Sequence, residues 1–434
     1  MSRKSAGKNK KNQKHKNNNE DTRQSFFVYE NEQSSTENSQ EETDEGEYGT
    51  DTALVRERLT RLGIGIIAVM VIVAAVLLGF SFLFGSGYND YEVVEETGVK
   101  NASMVDYVPY QNALLKFSKD GATYVNEKGE AVWNETFAMK MPSADVSGEY
   151  VAIADLNGND VYIFNKEGKV SSSAMPYQIC DIAVASQGEF AVILEGRRAN
   201  YINIYDKNGQ QIIENQTTLE QSGYPMDIDL SEDGEKLFSA YLSIDGAKTK
   251  YSLAAYNFGP VGQNENADGL MGGYQLENTV IPKVEFLDNN TVCAFGDNQI
   301  IIYSMKEKPS EKAVIAFEEE IRSIIYNSDY IGVVVPGDKE DVPYILELYN
   351  TSGHKVMSLK IDFDYNKVRL RNDEIVFTGG TECRIYTIKG KLKFSYSFKK
   401  NVSDIVPTGY SRRYIVLYDS GSEVIRIKYK SKKE

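Results

Sequence analysis

Any catalysis in this 434-residue chain has to come from carboxylates, because its other reactive side chains are few or scattered. Asp106, Asp145, Asp181, Asp227 and Asp404 recur at similar places at the start of apolar stretches. Two carboxylates about 5–10 Å apart across a cleft are enough for glycoside hydrolysis. An Asp at such a place also commonly bonds the backbone of a neighbouring hairpin, and that structural role is the favoured expectation. His354 falls in a turn-like run, NTSGHKV, so a Ser-His-Asp triad lacks a placed imidazole and a tetrahedral zinc site lacks ligands. Asp227, Asp229 and Ser231, like Asp155, Asn157 and Asn159, alternate oxygen ligands as a calcium loop does. Such a loop needs Gly at position 6 and Glu at position 12. The first stretch has Glu232 and Phe238 there, and the second has Asp160 and Lys166. No catalytic residue, metal or cofactor is therefore expected.

Cys180, Cys293 and Cys383 each sit in a strand-like run about a hundred residues from the next. An odd count at that spacing reads as buried, unpaired thiols, with one pair left open. The domain must then be held by its apolar core, and its size permits that.

The elements that would position these residues are short apolar runs broken by Gly, Asn or Asp, with period-two alternation and almost no helical periodicity. A turn motif recurs in VNEKGEAV (125–132), FNKEGKV (164–170), YDKNGQQI (205–212), YNTSGHKV (349–356) and YTIKGKL (386–392). The Asn or Asp side chain bonds the turn backbone, and glycine takes the left-handed position. The turn glycines are separated by 39 residues (129 to 168), 41 (168 to 209) and 37 (353 to 390). A second motif, strand–turn–strand, precedes the first in each unit, as in DIDLSEDGEKLFSAYL (227–242). Together they define eight units of about 42 residues, the period of a β-propeller. The last unit lacks an outer strand, whereas YEVVEE (91–96) precedes the first unit without a partner. One chain end supplying the strand that the other lacks would close the ring. The fold expected is all-β, an eight-bladed propeller with seven blades as the alternative.

DIDLSEDGEKLFSA resembles the hairpin of TolB-like and WD40-like repeats, and YDKNGQQI and VNEKGEAVW resemble the turn of quinoprotein-like (PQQ-type) repeats. The resemblance spans residues 91–430 as repeat grammar. It departs from the quinoprotein pattern in tryptophan, since this chain has only Trp133. The overall layout is similar to uncharacterised single-pass, membrane-anchored propeller proteins of Gram-positive bacteria.

That layout depends on Leu62 to Phe84, 23 residues without a charge. A helix of this length rises about 35 Å, enough to span a bilayer with some tilt. Arg56, Arg58 and Arg61 precede it, and the first basic residue after it is Lys100, which places the N-terminus in the cytoplasm and the C-terminal domain outside. Residues 1–55 read as a disordered cytoplasmic tail, with seven Lys/Arg and no acid in 1–19 and eleven Asp/Glu in 20–51. Residues 56–86 form the transmembrane segment, 87–98 a linker and closing strand after a flexible Gly-Ser-Gly (85–87), and 99–430 the extracytoplasmic propeller. The aromatic island Phe26-Phe27-Val28-Tyr29 is a possible docking motif for a cytoplasmic partner.

The chain carries a net charge of −15, nearly all of it outside the tail, which argues against nucleic acid as a partner. The expected function is a non-catalytic, membrane-anchored envelope module that binds a protein or a cell-wall glycan through its loop faces. The Gly/Asn-rich insertion at 260–275 marks the candidate face, with Tyr256 and Tyr274 as aromatic contacts and Asp181 and Asp227 near the channel. The alternative is a carboxylate-dependent extracellular enzyme or small-ligand sensor in the channel mouth.

Overall fold

Strands whose two faces are both covered read as continuous apolar runs, and YVAIAD (150–155) is one of many here. A computed structural model of the chain describes residues 66–67, 69–74, 87–97 and 105–430, apart from 219–221, 247, 266–267, 277–278, 307, 340 and 420. Its strands pair into eight four-stranded antiparallel sheets. Seven are sequential meanders: β2–β5 (106–136), β6–β9 (142–174), β10–β13 (178–217), β14–β17 (224–276), β18–β21 (283–316), β22–β25 (323–361) and β26–β29 (367–397), numbered here as blades 1 to 7. The eighth combines β30–β32 (402–428) with β1 (Asp90–Thr97) in the order β1-β32-β31-β30. The ring therefore has eight blades rather than seven.

Apolar clusters fill the interfaces between successive blades, so the core is a circle of seams. On β7 (Tyr150–Asp155), Val151 and Ile153 pack towards blade 1 with Leu115 and Phe117, while Ala152 and Ala154 pack towards blade 3 with Ile179 and Phe190. The alternation expected of one strand thus serves two seams. The thiols follow this pattern: Cys293 and Cys383 are buried in seams, Cys180 is half-buried, and all three are free.

The turn motif does what its chemistry requires. Asp206 Oδ1 accepts the N–H groups of Asn208 (2.9 Å) and Gln210 (2.8 Å), and Asn350 Oδ1 accepts those of Ser352 and His354 (both 3.0 Å). Gly209 has φ +83°, and a Cβ there would fall 1.8 Å from Ser173 Oγ of the preceding blade. This glycine supplies both the left-handed turn and the close approach of two blades.

The 260–275 insertion differs from the loop expected of it. Pro260–Glu265 is a short helix, and Leu270–Leu276 is β17, the outer strand of blade 4. Replacing the segment with a turn would delete a strand. Among the described residues no helix is long and apolar enough to cross a membrane. Residues 66–67 and 69–74 are helical and exposed, while the rest of the 62–84 run and the Phe26–Tyr29 island lie outside the described residues.

Closure follows the expected route. β1 pairs antiparallel with β32 (Gly421–Lys428) from Asp90↔Lys428 to Thr97↔Ser422, with one bulge at Val93/Glu95. The Tyr91 ring meets Tyr396 and Phe398 with centroids 4.9 and 5.2 Å away. Gly87 is no free hinge. Tyr88 donates its N–H to Lys393 O (2.7 Å), and a Cβ on Gly87 would lie 2.7 Å from Leu392 O, so the chain is pressed onto blade 7. We expect Tyr91→Ala to lower stability by about 2 kcal/mol, and removal of β1 to abolish a cooperative melt. Val94→Ala, at a side chain 39% exposed, should change little. Thermal denaturation of the three variants checks this.

Candidate functional site

An innermost propeller strand has one edge without a strand partner, so its N–H groups need acceptors from elsewhere. Carboxylates of the preceding blade supply them. Asp145 Oδ2 on β6 (Pro142–Ser147) accepts Val184 N–H of β10 (Gln178–Val184) at 2.7 Å. Asp181 Oδ2 accepts Ile228 N–H of β14 (Tyr224–Leu230) at 3.2 Å. Asp227 and Asp229 reach β18 (Lys283–Asp288), where they accept Val284 N–H (2.7 Å) and Phe286 N–H (2.5 Å). Four carboxylates thus stitch blades 2 to 5 together along their inner edge.

The same stitch concentrates acid. Lys283 Nζ lies 2.9 Å from Glu285 on β18. Burial works against the charge on Lys283, but Glu285, Tyr326 and Asp227 outweigh it and keep the ammonium protonated. The Asp carboxyls are part-exposed to the channel but walled in by blades. Burial raises Asp227 to about 8, with Asp181 adding to the rise, and raises Asp145 to about 6, with Glu285 adding. Burial likewise lifts Asp181, and it lifts Asp229 well above its ordinary value. A cavity of about 310 Å³ opens beside Asp145, Asp229, Glu285 and Tyr326.

The opposite side of the ring is cationic. Lys367, Arg369 and Arg371 alternate along β26 (Lys367–Arg371), the inner strand of blade 7. Lys367 Nζ (3.1 Å) and Arg369 Nε (2.7 Å) both bond Oδ2 of Asp404, whose side chain is 2% exposed. Arg371 donates to Gln111 O of blade 1.

Of the five aspartates singled out in the sequence, Asp145, Asp181 and Asp227 converge, Asp404 joins the cationic side, and Asp106 is exposed. Lys283, Glu285 and Tyr326 were missed. The Lys-x-Glu alternation at 283–285, in the place that Asp-x-Asp holds at 227–229, is the signal that could have found the first two.

The two tyrosines lie on strands rather than on a loop face, Tyr256 buried and Tyr274 half-buried. Tyr256 is 7% exposed and its hydroxyl lies 3.2 Å from that of Tyr241. It lies at the C-terminal end of the third strand of its blade, within one residue of the last, as Tyr205, Tyr303, Tyr349 and Tyr386 do in theirs, and each of these is buried. Tyr274, on β17, packs its ring 4.5 Å from that of Tyr303 in the next blade. His354 is exposed in its turn, and Asp155 Oδ1 accepts Lys140 and Met141 N–H groups at 2.8 Å. A second concavity, a groove of about 770 Å³, lies between blades 3 and 4 against the short helix.

The fold and inner wall define an eight-bladed β-propeller. The chain belongs to DUF5711, a family of unknown function, whose model matches residues 85–427. None of the curated proteins matches the sequence. Among solved structures it is similar to Sqt1 of Chaetomium thermophilum bound to the N-terminus of the ribosomal protein L10 (TM-score 0.52, 10% identity, 78% of this chain and 100% of that one). It is also similar to Saccharomyces cerevisiae Sqt1 (0.50, 13%, 80% and 100%) and to BamB from Moraxella catarrhalis (0.49, 12%, 78% and 100%). At these identities the likeness is one of fold, and the quinoprotein-like resemblance rests on the turn motif alone.

Two predictions follow from the inner wall. The folded chain holds protons on Asp227 and Asp145 that an unfolded chain, with ordinary values of 3.8, has released. Their contribution to stability is therefore full below about pH 4 and is lost as pH rises through about 6 and about 8. Asp227→Asn keeps the acceptor for Val284, so it should raise stability at pH 8.5 by about 1–3 kcal/mol and flatten the fall between pH 5 and 8.5. Parallel denaturation curves for the two proteins would contradict this. On the cationic side, Asp404→Ala strands two cations and should cost about 2–3 kcal/mol. Asp404→Asn should cost less, as read by urea unfolding.

Proposed function

We propose that this protein is a membrane-anchored module of the cell envelope that binds a protein or glycan partner and performs no chemistry of its own. The observation that carries the reading is the commitment of the channel carboxylates. Each of Asp145, Asp181, Asp227 and Asp229 accepts a backbone N–H of the next blade. These groups hold the scaffold rigid, which suits recognition by preformed loops and grooves. The uncharged run Leu62–Phe84, preceded by Arg56, Arg58 and Arg61 and followed by no basic residue before Lys100, supports an anchor that leaves the tail in the cytoplasm and the propeller outside. The Sqt1 propeller holding the N-terminus of a ribosomal protein supports a protein partner over a glycan. FFVY remains a candidate contact for a cytoplasmic protein.

In intact cells, added protease should remove the propeller and spare the tail. Photo-crosslinkers placed around the ring of the full chain should give a discrete protein adduct. Turnover of cell-wall fragments, or their saturable binding in the channel, would instead establish the enzyme or sensor reading.

A further inference from the structure

The groove between blades 3 and 4 joins an apolar floor to a carboxylate rim. Ile204, Ile213 and Phe258 form the floor, and Ile212 stands at its edge, 56% exposed. Val132 and Val356 are comparably exposed at the equivalent outer-strand position of their blades, so the exposure of Ile212 alone marks nothing. The acid is what distinguishes this seam. Glu189, Glu214, Glu235 and Asp268 line the groove, and among the described residues no Lys or Arg lines it. Glu189 Oε2 is shielded from solvent and has no hydrogen-bond partner among the described residues. Gly234, facing it from blade 4, has no side chain to offer, and a Cβ there would lie 3.6 Å from that oxygen.

The wall is built before any ligand arrives. Phe258 donates its N–H to Glu235 O (2.7 Å), Gly259 donates to Asn257 Oδ1 (2.9 Å), and Gln263 Nε2 donates to Phe258 O (2.6 Å). A preformed groove loses little order on binding. The exposed rim carboxylates Glu214, Glu235 and Asp268 are matched by a guanidinium, whose planar fork offers several N–H groups at once. The floor beside it matches an aliphatic neighbour.

We propose that this groove docks an arginine-containing amphipathic segment of a partner protein, with the guanidinium on the Glu214 and Glu235 rim and an aliphatic side chain over Ile212 and Phe258. The proposal deepens the binding-module reading and rests on it. The chain's own basic run, residues 1–19, lies across the membrane in that reading and is not the occupant.

The test uses the full chain in detergent and three fluorescent decapeptides, Arg/Leu, Glu/Leu and Arg/Ser, followed by anisotropy. The Arg/Leu peptide should bind saturably and at least tenfold more tightly than the other two. Its affinity should fall at least tenfold in Glu214→Gln/Glu235→Gln and in the surface variant Ile212→Lys, with melting temperatures unchanged. Equal binding of all three peptides, or full affinity in both variants, overturns the proposal. If the same variants still form the cellular protein adduct at full yield, the groove is refuted while the binding role stands. Absence of both peptide binding and any adduct removes both.

Discussion

A ring of radial sheets must close, and every other feature of this propeller depends on that closure. Each blade buries its two faces only against its neighbours, so no blade has a core of its own. Val151 and Ile153 are covered by blade 1, and Ala152 and Ala154 by blade 3. An open ring would leave one such face bare at each end. Closure is achieved twice over: Val406, Ile415 and Leu417 of blade 8 pack on Leu114 and Val125 of blade 1, and β1 pairs with β32. The strand joining the two ends of the chain also covers an edge that would otherwise be open to another chain.

Closure creates a channel, and the channel creates an electrostatic problem. Its inner strands have free edges, which must be satisfied where solvent is confined. The solution at blades 2 to 5 is a carboxylate from one blade on the backbone of the next. Burial, with crowding added to it, raises the proton affinity of these acids, and Lys283 is held cationic among them. At blade 7 the arrangement is inverted, with two cations serving Asp404. Acid-rich inner walls of this kind look like catalytic sites in a sequence, yet their first duty is to hold strands in place. The groove proposed for recognition lies elsewhere, between blades 3 and 4, where blade 4 carries its extra helix.

Much of the fold was legible because its signals are local. The Asn/Asp-x-x-Gly turns, the 37–41-residue glycine spacings and the unpaired YEVVEE segment each follow from the backbone geometry of a few residues, and together they imply eight blades and the closing strand. The site was less legible. Tyr256 and Tyr274 flank an apparent loop in the sequence, but strand register points one at Tyr241 and the other at Tyr303. Gly87 has the look of a flexible linker, and only contact with Leu392 shows it as a point of close approach.

By itself the sequence determined the strands, their turns and the repeat, and favoured eight blades over seven, since period-two alternation and left-handed glycines act over a few residues. It also determined that the chain is acidic beyond the tail and carries an uncharged 23-residue run. Only the tertiary structure decided which aspartates meet, which remain in solvent and which oxygen is left without a donor. Those outcomes depend on the neighbouring blade, about forty residues away in the chain, and on how each strand's edge is presented to it. Asp145 and Val184 become partners, and Glu189 comes to face Gly234, because the ring closes with this register.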